Sequence, residues 1–476
     1  MKIPQYIYLL SLTLRISVPG FSQPGKMINP VLCQSDPSQS YAVYIPAKGN
    51  KTPLPVIYFF DPHADGGLPL GKYRRLADEF GFILVGSNNS KNGNDWAAAE
   101  NSWRHLLEDT KTRYKISNDR IYTAGFSGGA KVASYLALRH PEIKGVIANG
   151  AGLPDGVPAG DLNFSFTALA GEGDMNMTEL VALSNELDHT RTRHRIILFD
   201  GIHEWAPAST MRIAFAGLQL DAMEKKLIPK DNAAIDRYIA TSQSRLAADK
   251  HSNRLIKAAQ ECKISISFLD GLTARTAWFK AAADSLAHNR LYQQQQQARQ
   301  DILTREQNTK AEYAQFFQQD NMAYWRRTIA ALNAAAGNPG AAAGGSTAAT
   351  GDLKAADAST NKKDEIAMNH RLLAYLSLAF YSFSNRLLNA NDDNGARHFV
   401  DLYQLVDPTN SEAWYLSAIL DAREKNARAA ENDLRKAVQN GFRDGHRMQL
   451  QPEFKDPSLK ITLPGIEQTT YRFRTR

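Results

Sequence analysis

Between residues 40 and 228, short runs of apolar, β-branched and aromatic residues alternate with segments whose apolar positions recur at helical spacing. The runs at 41–45, 56–60, 82–85, 120–124, 145–149, 166–170 and 195–199 predict strands. The segments 73–79, 96–114, 130–139 and 177–189 predict helices. Strands alternating with helices are the pattern of a mostly parallel sheet covered by helices. The expected fold class is therefore α/β for one domain over 23–228.

Past residue 228 the strand pattern stops, and 229–333 reads as helical, including the glutamine run 293–297. Glutamine is a good helix former, so that run predicts a solvated helix face. Residues 334–363 are rich in Ala and Gly without periodicity, which predicts a flexible linker. In 364–458 a repeat emerges: Phe380 and Trp414, Ser384 and Ala418, Ala396 and Ala430, and Val400 and Leu434 are each 34 residues apart, with Pro408 where a helix must end. These residues resemble the tetratricopeptide pattern of an aromatic and a small residue on one helix, then Ala and an apolar residue on the next. Two units fall short of the three usually needed for stability, so the 232–333 helices are expected to pack against them. A bundle with a coincidental 34-residue echo is the other reading. Residues 459–476 form a tail.

Residues 1–22 carry Lys2, an apolar stretch interrupted by Arg15, and small residues at Gly20 and Ser22. This reads as a cleaved secretory signal, too short for a membrane span, and places the mature chain in the periplasm or outside the cell. A buried first element is the competing reading. The chain of 476 residues is 43% hydrophobic and 22% charged, which excludes collagenous, wholly disordered and polytopic membrane classes. Its 56 basic and 49 acidic residues give +7, falling to +5 if Lys2 and Arg15 are removed. The basic residues are dispersed, so no nucleic-acid partner is expected, and the shortness of the N-terminal apolar run means that no membrane span is expected either. Two cysteines, Cys33 and Cys262, exclude a cysteine metal site; they form either one bridge or two buried thiols.

The chemical signal is Gly125-Phe126-Ser127-Gly128-Gly129, fed by the strand 120–124 and followed by the helix 130–139. Strand, sharp turn and helix form a nucleophile elbow, which lifts the Ser127 hydroxyl above the sheet at a helix N-terminus. A base and an acid should follow in the order Ser, acid, His. Asp174 lies in the loop after 166–170, and His203 in the loop after 195–199. His203 would take the Ser127 proton while Asp174 orients the imidazole. Glu172 and Asp200 are the other available acids.

These motifs resemble the α/β-hydrolase family, and within it secreted esterases of the feruloyl esterase and polyhydroxybutyrate depolymerase type. The resemblance spans about 41–227 and implies cleavage of carboxylic esters through an acyl-serine, with no metal or other cofactor. Where such relatives carry a His-Gly pair, this chain has Phe60-Asp61-Pro62-His63. Proline has no N–H, so Gly128 and a neighbour such as His63 or Ala64 are the expected oxyanion donors. Asp61, Trp96 and Trp205 are candidate substrate-binding residues. Only 150–164 separates two strands where many relatives insert a lid, which predicts an open cleft for bulky or polymeric esters unless the C-terminal helices cover it. Two other functions remain open: a binding protein, offering a protein partner its C-terminal helices over a degenerate core, and a peptidase or amidase using the same triad.

Overall fold

The computed structural model describes residues 24–49, 52–319, 321–338 and 357–465. Eight strands form one sheet: β1 (Met27–Leu32), β2 (Ser40–Tyr44), β3 (Leu54–Phe60), β4 (Ile83–Ser87), β5 (Ile116–Phe126), β6 (Ile143–Asn149), β7 (Ser165–Gly171) and β8 (His194–Phe199). Their order is β1-β2-β4-β3-β5-β6-β7-β8. The first two pairings are antiparallel and the rest parallel. This is the expected α/β arrangement with a mostly parallel sheet, and five helices are interleaved: α1 (Gly67–Phe80), α2 (Trp96–Arg113), α3 (Gly128–Arg139), α4 (Met177–Leu187) and α5 (Ala208–Glu224).

Alternate residues of a strand face opposite sides, and β3 shows both sides buried. Ile57 and Phe59 pack with Tyr73 of α1 and Phe215 of α5. Val56, Tyr58 and Phe60 pack with Trp103 of α2, Leu136 of α3 and Leu180 of α4. Burial on both faces is why the central strands read as unbroken apolar runs. The seven expected strands are all present. The additional strand, β1, lies at the sheet edge, where Pro30 is tolerated; Asn29-Pro30 interrupts its apolar residues and three of its six residues are exposed, so it carries no strand pattern.

Helices continue the chain: α6 (Asn232–His251), α7 (Leu255–Leu269), α8 (Thr276–Ala287), α9 (Arg290–Phe316), α10 (Met322–Ala335), α11 (Asp357–Asn389), α12 (Asp393–Val406), α13 (Ser411–Arg423), α14 (Ala427–Gln439) and α15 (Gly445–Leu450). Residue 228 is not a boundary between cores. Ile239 of α6, Phe268 of α7 and Phe279 of α8 share one apolar cluster with Tyr122 of β5. The Arg195 guanidinium of β8 lies 4.1 Å over the Phe268 ring.

Farther along, Trp325 of α10 packs against Phe380 of α11 with ring centroids 5.3 Å apart. Tyr313 of α9 joins the same cluster, so α9 and α10 pack against α11 and α12. Two helix ends 34 residues apart share a backbone conformation. Asn391 and Lys425 end their helices at φ 57° and 62°. The next residues, Asp392 and Asn426, cap α12 and α14 by accepting from Gly395 N–H and Ala429 N–H. Ser384, Ala396, Ala418 and Ala430 are fully buried, as close helix approach requires.

Helix α10 reaches Ala335 and α11 starts at Asp357, so helix enters both ends of the stretch read as linker, and 339–356 lie outside the described residues. The expected signal segment, 1–22, lies outside them too, as does 466–476 of the tail. Cys33 and Cys262 are both free and buried, so no bridge joins them. No described helix is long and apolar enough to cross a membrane.

Candidate active site

Ser127 sits between β5 and α3 at φ 53° and ψ −125°, a conformation that non-glycine residues rarely adopt. The turn is this tight because its flanks are bare. A Cβ on Gly125 would stand 2.0 Å from Gly129 O, and one on Gly129 2.0 Å from Phe60 O. Such strain at a single polar residue is characteristic of a functional turn. The Ser127 N–H is anchored to Asn149 O at 2.8 Å.

His203 Nε2 lies 3.0 Å from Ser127 Oγ, and His203 Nδ1 lies 2.9 Å from Asp174 Oδ1. A carboxylate only accepts, so Nδ1 carries the proton and Nε2 offers its lone pair to the hydroxyl. Asp174 is fully buried, and its Oδ1 also accepts the Asn176 N–H at 2.9 Å. Its Oδ2 has no hydrogen-bond partner among the described residues. The three side chains sit on loops at the C-terminal ends of β5, β7 and β8, where parallel strands deliver them to one edge of the sheet.

Glu172 and Asp200, the other acids near the site, are engaged elsewhere. Glu172 faces Arg299 of α9 at 3.5 Å, and Asp200 pairs with Lys257 of α7. Asp174 is thus the carboxylate that reaches His203.

The remaining expectations fare differently. Gly128 is the first residue of α3, and its N–H lies outside the helix ladder, at the positive end of the helix. His63 lines the cavity described below, but its N–H donates to Asp61 Oδ1 at 2.9 Å, and the Ala64 N–H donates to Asp61 O at 3.1 Å. Both neighbours considered as second oxyanion donors are therefore already bonded. The Asp61 carboxyl beside it holds the His63 imidazole above its usual range, outweighing burial. Asp61 itself is buried and does not line the cavity. Its other oxygen accepts Trp205 Nε1–H at 2.8 Å. Trp205 is only 5% exposed, packed against Phe59, Tyr73 and Phe126, so it is a support beneath the histidine loop and not a rim aromatic. Trp96 stacks on Tyr135 at 4.3 Å and is not among the cavity residues.

Asn149 was not foreseen from the sequence. Besides holding Ser127 N–H with its main-chain carbonyl, it accepts from Ala206 N–H at 2.7 Å and donates to Glu204 O at 3.0 Å through its side-chain amide, so one buried residue ties the serine turn to the histidine loop. The available signal was a lone amide ending the apolar run 145–149. Gly150, next to it, has φ 69°, and a Cβ there would stand 3.1 Å from both Asp174 Oδ2 and His203 Cε1.

The site opens into a cavity of about 1770 Å³. Phe126, Ser127 and His203 line one side, and Ile329, His370, Leu373, Leu378, Tyr381 and Arg447 of the helices line the other. The segment 150–164 contains no helix, as expected, but the cleft is not open on all sides: the C-terminal helices form its far wall. Among the described residues, no cluster of His, Cys, Asp and Glu is arranged to hold a metal ion.

No protein-family profile matches the chain, and no curated protein matches it. Solved structures similar to it include a hyperthermophilic esterase from the archaeon Pyrobaculum calidifontis, at 14% identity over 43% of this chain and 87% of that one, with a TM-score of 0.34. A fluorophosphonate-binding serine hydrolase of Staphylococcus aureus is 13% identical over 41% of this chain and 99% of its own, with a TM-score of 0.34. A ferulic acid esterase is 15% identical over 40% and 94%, with a TM-score of 0.32.

Proposed function

We propose that the protein is a serine hydrolase that cleaves carboxylic esters through an acyl-serine intermediate. The reading is carried by one observation: the relay from Asp174 Oδ1 through His203 to Ser127 Oγ, with contacts of 2.9 and 3.0 Å, at a strained strand–helix turn. His203 Nε2 takes the Ser127 proton as Oγ bonds to the ester carbon. The carbonyl oxygen becomes an oxyanion facing the Gly128 N–H. As the carbon–alkoxy bond breaks, His203 returns the proton to the leaving alcohol. Water then repeats the sequence and frees the acid, while Asp174 stabilises the imidazolium in both halves.

The substrate is a bulky ester with an apolar part. Small-molecule sites usually enclose about 300–1000 Å³, and this cavity is larger. Ile202, Leu378 and Leu450, three of the large hydrophobic side chains left exposed, line it. The helical half then serves as a wall of the substrate site, in preference to a docking surface for a protein partner. A secreted or periplasmic location goes with this reading.

A fluorophosphonate probe should label the full chain at Ser127 and fail on Ser127→Ala. Turnover of an ester panel should far exceed that of amides with the same acyl groups. Folded protein that resists the probe would remove the hydrolase reading, and faster amide cleavage would replace esterase by amidase.

A further inference from the structure

The two loops that carry Asp174 and His203 are stitched to each other. Glu172 N–H donates to Phe199 O at 2.9 Å, and Gly173 N–H to Gly201 O at 2.8 Å. From outside, three cations of the helical half hold this pair: Lys257 on Asp200, Arg299 near the Glu172 carboxylate, and Arg371 of α11 on the Glu172 main-chain carbonyl at 2.5 Å.

Arg371 is the best built of these contacts. Its side chain is 3% exposed and is paired with Glu306 of α9, 2% exposed, at 2.6 Å. Lys310 completes the cluster, donating to the other Glu306 oxygen at 2.7 Å. A buried guanidinium is tolerated only when its charge is paired and its N–H groups find acceptors. Glu306 meets the first need, and the carbonyl two residues before Asp174 meets part of the second. The neighbouring His370 leaves so little room that a Cβ on Gly173 would stand 3.1 Å from its own Cβ.

Asp174 depends on such support. Among the described residues one of its oxygens has no partner, and the other is held, besides His203, only by the loop's own Asn176 N–H, so its aim follows the path of the loop backbone.

We propose that Arg371 is a positioning residue: from the helical half it fixes the backbone of the acid loop, and so keeps Asp174 Oδ1 on His203 Nδ1. Its kinetic consequence rests on the ester-hydrolase reading, whereas its spectroscopic consequence does not.

The test uses the full chain with Arg371→Met combined with Glu306→Gln, so that no bare carboxylate is left buried, and Arg371→Lys beside it. A misplacement near 1 Å can cost about 100-fold. The double variant should lose about 10–100-fold in kcat with KM little changed, and Arg371→Lys should fall between it and the parent. The low-field proton resonance of the His203–Asp174 hydrogen bond should broaden or vanish in the double variant and broaden to a smaller extent in Arg371→Lys. A folded double variant with parental kcat and an unchanged resonance would overturn the proposal. If it does not fold, Arg371→Lys decides: one ammonium cannot reproduce the guanidinium's two-sided bonding, so wholly parental kcat and resonance there would also overturn it. If the parent turns over no ester, the hydrolase reading fails, and the resonance alone decides for Arg371.

Discussion

The two halves of this molecule meet along one cavity and contribute to it in different ways. The α/β half supplies the groups arranged for chemistry, on loops fixed by strand ends: Ser127 after β5, Asp174 after β7 and His203 after β8. The helical half supplies an apolar wall and a set of cations that reach the backs of those loops. Precision on the first side comes from parallel pairing, which delivers neighbouring loops to a common edge. On the second side it comes from buried charge, which is costly unless every partner is in place. The two halves are therefore not a catalyst with an accessory module attached.

The sharpest way to break this contrast is to compare carboxylates on the same loop. Asp174→Asn should lower kcat by about 10⁴-fold, the scale on which a triad loses its correct tautomer. Glu172→Gln, which touches only the helical side, should cost less than about 10-fold, since a partly exposed ion pair is worth little. Equal losses in a steady-state assay would erase the division of labour drawn between the halves.

A second comparison concerns stability at the seam. Asp221 of α5 is buried between Arg193, at 2.5 Å, and Arg195, at 2.6 Å, while Arg193 also donates to the Phe268 carbonyl of α7 at 2.8 Å. Asp221→Asn leaves buried guanidinium charge uncompensated and should cost about 3–5 kcal/mol in denaturant unfolding. Burial alone would raise the Asp221 carboxyl, but Arg195 and Arg193 outweigh it and hold it below the usual range. A depressed carboxyl stabilises the fold above its unfolded-state value of 3.8 and loses that contribution as pH falls toward its lower folded value. Unfolding midpoints followed from neutral pH into acid should therefore converge for parent and variant, and a constant gap would contradict the pairing.

The smallest effect uses one thiol in each half. Burial pushes Cys33 up to about 12 and Cys262 up to about 11, so neither offers thiolate near neutral pH. A thiol reagent should leave the native protein unmodified and find two thiols per chain after unfolding. Because α6, α7 and α8 share a core with the sheet, both should become reactive together as denaturant rises. Early labelling of Cys262 alone would show that the halves open separately.

Much of this was legible in the chain. The central strands announced themselves because both faces are buried and nearly every position is apolar. Ser127, Asp174 and His203 could be read in order because each directly follows such a strand, so topology converts sequence rank into spatial adjacency. Edge strand β1 could not be read, since Asn29-Pro30 breaks its four apolar residues into two separate pairs. Asp61 and Trp205, candidate substrate contacts on the sequence alone, are instead each other's hydrogen-bond partners, 144 residues apart in the chain. No local pattern reports a pair at that distance. Asn149 was illegible for the same reason: its three bonds go to two separate loops.

Sequence by itself determined the elements and the order of the chemical groups, because periodicity, turn residues and strand rank are local properties of the chain. Tertiary structure alone decided which acid reaches His203, what the aromatic residues do, and where the helices lie against the sheet. Those outcomes depend on which buried charge finds which partner across the fold, and Arg371 on the backbone of the acid loop is the case in which 199 residues of separation close to one hydrogen bond.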